Sequence, residues 1–74
     1  MTELSLIDKL TRAEEVFGEM GVAMRCGVQQ RMYQLAKQRK TRFGTRTLAT
    51  ILKNFPELRE DVLAYIEARD GAAA

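Results

Sequence analysis

The segment Lys37-Gln-Arg-Lys-Thr-Arg-Phe-Gly-Thr-Arg-Thr47 holds the side chains of this chain best suited to chemistry, and that chemistry is the gripping of an anion. It brings together five positive charges, three threonine hydroxyls and Gly44, where backbone can approach a ligand closely. Arg42 and Arg46 are four residues apart and each follows a threonine. Arginines, hydroxyls and backbone N–H groups are the donors that hold phosphate. Phe43 is placed to stack on an exposed base. The competing reading is a solvated helix end and loop, with Phe43 folded into the core.

Charge along the chain favours the first reading. Between Met20 and Pro56 there is no acidic residue, while Arg25, Arg31, Lys37, Arg39, Lys40, Arg42, Arg46 and Lys53 supply eight basic ones. All ten carboxylates lie in the flanks, each of which carries a net charge of −3, so a formal +2 overall conceals a strongly basic middle. Such segregation creates a positive local potential that attracts anionic partners.

A second constellation lies just upstream. Helix-turn-helix motifs require a small residue, a glycine four later, and apolar residues six and nine beyond that glycine. Ala23, Gly27, Tyr33 and Ala36 meet this spacing. A reading helix from Val28 would then show Gln29, Gln30, Arg31 and Gln34, side chains able to address base edges. The same pattern placed on Ala49 and the helix after Pro56 fails, because it would turn Glu57, Glu60 and Asp61 towards phosphates.

Catalysis and metal binding find little support. The chain has no histidine, the commonest general base, and one cysteine without histidine makes no ordinary zinc site. Glu14–Glu15 and Glu60–Asp61 are neighbours in sequence, so on a helix they diverge by about 100° and do not converge on a substrate. A non-enzymatic protein with no cofactor and no metal is expected. Cys26 permits no internal disulfide, which favours a cytoplasmic setting and a buried thiol. No signal peptide and no apolar run of about 18 residues is visible.

These groups need a scaffold, and 74 residues provide a single all-α domain, a small bundle of three to four short helices. Leu6, Leu10, Ala13, Phe17 and Met20 share one helical face, with Ser5 as cap and Asp8–Arg12 as an i,i+4 ion pair. The helices are expected over 5–18, 22–39, 46–54 and 56–69, with a turn at 18–21 and a frayed tail at 71–74. The second helix presents Met24, Val28, Met32 and Leu35 inward, unless Gly27 splits it. Thr45 or Thr47 caps the third, whose apolar face is Leu48, Ile51, Leu52 and Phe55. Pro56 opens the fourth, which buries Leu58, Val62, Tyr65 and Ile66, carries Glu57, Glu60 and Asp61 in its first turn, and stops at Gly71.

The first functional expectation is a small regulator whose basic segment, about residues 25–53, docks on an acidic surface of a larger protein such as RNA polymerase. Short helical regulators of this size and charge are common products of phages and mobile elements. Its contact residues would be Arg31, Lys37, Arg39, Lys40, Arg42, Phe43 and Arg46. The alternative is direct DNA or RNA binding, through Gln29, Gln30, Arg31 and Gln34 or through the phosphate grip of residues 37–46. A membrane-surface role is disfavoured, since the apolar stripe is needed for the core. Pairing into a homodimer is a further route to stability for so small a core.

Overall fold

The computed structural model describes the backbone of residues 3–73 and the side chains of residues 5–68. Helix α1 (Glu3–Cys26) bends at Gly18, whose φ of +76° and ψ of +165° fall in a region almost confined to glycine. Helices α2 (Gln30–Lys37), α3 (Thr45–Asn54) and α4 (Arg59–Ala73) follow, with a single 3-10 turn over Pro56–Leu58 leading into α4. No strand occurs among the described residues, so the all-α expectation holds.

Local chemistry sets most of these boundaries. Proline at the first position of the 3-10 turn and the non-helical backbone of Phe55 separate α3 from α4, as expected. The expected turn at 18–21 is instead one residue wide: Gly18 alone breaks the helix, and it resumes at Glu19. The expected helix over 22–39 is divided at Gly27, so that 22–26 belongs to α1. Gly44, rather than Thr45 or Thr47, occupies the N-cap of α3 and offers no side-chain cap. The α4 backbone runs through Gly71 to Ala73, so this glycine does not stop it; Ala74 lies outside the described residues.

Gly18 also redirects the apolar face of α1. Before it, Leu6 and Leu10 are buried and Ala13 packs against the core. After it, Val22, Ala23 and Cys26 turn inward, while Met20 and Met24 are 60% and 71% exposed. Met32 of α2 is 46% exposed, and Tyr33 and Ala36 are buried in its place. The methionines therefore form no part of the inner stripe, which corrects the expectation drawn from Met24 and Met32.

The largest helix–helix contact joins α1 to α4, the two acidic segments of the chain. Asp61, only 1% exposed, locks them together. Ser5 donates its hydroxyl proton to Asp61 Oδ1, and Lys9 Nζ donates to Oδ2 at 2.9 Å. Burial opposes the charged form of Asp61, but the hydrogen bonds from Lys9 and Ser5 outweigh it and hold the carboxyl below its ordinary range. Ser5 is thus a tie between helices rather than a cap, since α1 begins two residues before it. The Asp8–Arg12 pair forms as expected, at 3.2 Å on the exposed face.

Leu48 and Ile51 of α3, Phe55 just after it, and Leu58, Val62 and Tyr65 further on complete the core, as their spacing predicts. The smallest dimension of the molecule is 19 Å, about two helix diameters, so one apolar seam serves every helix.

Candidate nucleic-acid interface

The segment 19–26, the turn at 27–29 and α2 form two short helices joined by three residues, with glycine first in the turn. Gly27 is required twice over. Its φ is +78°, and a Cβ there would sit 3.1 Å from Thr50 Cγ2 in α3. The Gly27 N–H donates to Met24 O at 3.0 Å and the Val28 N–H to Ala23 O at 3.2 Å, which closes the helix end. Asn54 Nδ2 donates to Arg25 O at 2.8 Å, so α3 braces the turn from outside. Ala23, Tyr33 and Ala36 are buried, in the roles that the helix-turn-helix spacing assigns them, although α2 begins at Gln30 rather than Val28.

Helix α2 packs chiefly on α1. A polar cluster fixes it there. Gln30 Nε2 and Gln34 Nε2 donate to Glu19 Oε1 at 2.7 and 2.6 Å. Lys37 Nζ donates to Glu14 Oε2 at 2.8 Å and to Glu19 Oε2 at 3.1 Å. The Tyr33 hydroxyl donates to Glu14 Oε2 at 2.5 Å. Hydrogen bonds from Gln30, Gln34 and Lys37 hold Glu19 ionised, with its pKa lowered to about 2. Burial acts to lower Lys37, but Glu14 and Glu19 prevail and raise it. Burial first, then the Glu14 contact, raises Tyr33.

The sequence-predicted site residues therefore separate into four groups, the first of which, Gln30 and Gln34, is half-buried and tied to Glu19. Gln29, Arg31, Arg39, Lys40, Arg42 and Arg46 are exposed. Lys37 is half-buried between two carboxylates, so its charge is already compensated and it leaves the set of anion-gripping cations. Phe43 is 3% exposed, its ring 5.7 Å from that of Tyr65 and its N–H donating to Tyr65 Oη at 3.0 Å. Burial takes it off the surface, so it anchors the 38–44 loop and is not available to stack on a base.

Two residues mark the end of α2. The Lys40 N–H donates to Leu35 O at 2.9 Å and the Arg39 N–H to Ala36 O at 3.1 Å, the paired closure that normally places glycine at the left-handed position. Here that position is Arg39, with φ +64°. Neither α2 nor α3 carries an acidic residue of its own in its first turn. Arg31, Arg39, Lys40 and Arg46 form no ion pair among the described residues.

Glu14 and Glu19 escaped the sequence reading because they lie in the acidic flank, 11 to 23 residues from their partners. Only the helix-turn-helix register itself signals them, since it sets the start of the first helix against the second. Among the described residues no cluster of metal-ligating side chains occurs, and no helix is long and apolar enough to cross a membrane. The chain matches no family model, and neither a curated protein nor a solved structure matches it.

Proposed function

We propose that this chain is a small DNA-binding regulator of transcription that lays α2 in the major groove. The observation that carries this reading is the two-helix unit with its three-residue glycine turn, which presents Gln29 at the N-cap of its second helix and Arg31 within that helix to solvent. Glutamine and arginine pair respectively with adenine and guanine edges. Arg39, Lys40, Arg42 and Arg46 follow in the loop and at the start of α3, where they would contact phosphates on either side of the groove. The acidic helices α1 and α4 pack on each other, and the acids of α1 that reach α2, Glu14 and Glu19, are taken up by Gln30, Tyr33, Gln34 and Lys37.

Docking on an acidic protein surface is the second reading. Val16, Met20 and Met24, spaced four apart and well exposed, favour it, since flexible methionines suit protein contacts.

Fluorescence anisotropy with a random-sequence duplex tests the first reading. Four phosphate contacts predict that log K falls against log salt with a slope of about −3.6. Arg31→Ala should weaken binding, whereas Lys37→Ala should leave the slope within about half a unit of wild type. No binding at low salt rejects DNA recognition and leaves the protein-docking reading.

A further inference from the structure

We propose that Glu19 is a specificity-positioning residue: it orients the amides of Gln30 and Gln34 so that both present an adenine-reading edge. The inference rests on the DNA-binding reading and adds to it which bases are read and what fixes the choice.

An ionised carboxylate only accepts hydrogen bonds. A glutamine amide, by contrast, is nearly symmetric in shape and turns either end outward unless a neighbour decides. Gln30 and Gln34 both give Nε2 to Glu19 Oε1, at 2.7 and 2.6 Å. Each then retains one N–H and its whole carbonyl oxygen, a fixed donor–acceptor pair. Adenine offers the matching pair in the major groove, the N7 acceptor and the N6 donor. Guanine offers two acceptors there and leaves the glutamine oxygen unsatisfied. Lys37 holds the other oxygen of Glu19, at 3.1 Å, so the carboxylate cannot swing away without losing a third partner. Residues four apart on a helix are separated by about 6 Å along its axis, under two base-pair steps of about 3.4 Å. The preferred site therefore carries two adenines, on either strand, within three consecutive base pairs.

An acidic side chain at a DNA interface has one other effect, general repulsion of phosphate, and the two roles have opposite signs. In vitro selection from a random duplex library would be run with the wild type, Glu19→Gln and Glu19→Ala. Affinities for the selected and random duplexes would follow, with circular dichroism melting as a check on folding. Glu19→Gln keeps the shape but lets each amide pair in either sense. Orientation by Glu19 predicts an adenine-containing site for the wild type, loss of adenine preference in both variants, and a fall of about tenfold or more in the selected-to-random affinity ratio. Random-duplex affinity should be unchanged or higher. Unaltered selected sequences in both folded variants, or equal gains on every duplex, overturn the role of Glu19 while leaving DNA binding intact. Enrichment of sites without the adenine pair overturns it too. No enrichment by the wild type overturns sequence reading by α2 and this inference with it.

Discussion

Arg39 is the residue whose conformation and chemistry disagree. Its left-handed backbone suits glycine, and a side chain there costs roughly 1–2 kcal/mol. Retained strain of this kind points to a task for the side chain. Arg39→Gly should therefore stabilise the fold by about 1 kcal/mol and raise Tm by roughly 4–8 °C. The same change should weaken duplex binding and reduce the salt slope by about one unit. A stabler protein that binds DNA unchanged would strip Arg39 of its contact role. At this scale the sequence was informative about type but not about company. Arg31, Arg39, Lys40, Arg42 and Arg46 are exposed as expected. Lys37 reads the same in sequence, yet Glu14 and Glu19 arrive from a distant turn of α1 and neutralise it. Met20, Met24 and Met32 misled because their helical spacing is real but faces outward.

Among the elements, the turn at Gly27 governs how α2 is presented. Gly27→Ala combines left-handed strain of roughly 1–2 kcal/mol with the approach to Thr50, so it should destabilise by at least about that amount and weaken duplex binding. Adding Thr50→Ser removes the Cγ2 that a new methyl would meet and should recover only the packing part. Thermal melts of the single and double variants separate the two contributions. Full recovery would show that backbone strain at Gly27 is negligible. Helices α3 and α4 were readable because Pro56 and two clean apolar faces mark them. The stretch 18–30 was not, because glycines at 18, 21 and 27 give the same local signal and only tertiary packing chooses among them. Gly21 stays helical, Gly18 bends the helix and Gly27 ends it.

For the molecule as a whole, the link between α1 and α4 sets the response to acid. The folded Asp61 carboxyl takes up its proton less readily than the unfolded one, whose ordinary value is 3.8. Its stabilisation is thus complete above that value and is lost as pH falls through the lower folded one, and Glu19, held to about 2, acts in the same direction. Tm should be level from neutral pH to about 5 and decline below about 4. Asp61→Asn should lower the neutral Tm, by the equivalent of about 1–3 kcal/mol, and flatten the acid decline. An unchanged acid limb would remove Asp61 from this account. The overall architecture and the basic face were legible because periodicity and charge counts are properties of chain segments. The Ser5–Lys9–Asp61 tie was not, since it spans more than fifty residues. Cys26, fully buried at the end of α1 with its thiol pushed up by burial to about 12, carries one more consequence. A thiol so sealed and so weakly acidic is inert while the chain is folded, since the thiolate is the reactive form. Oxidative cross-linking of two copies is therefore gated by unfolding, and the shelf life of the reduced protein is a kinetic image of its conformational stability.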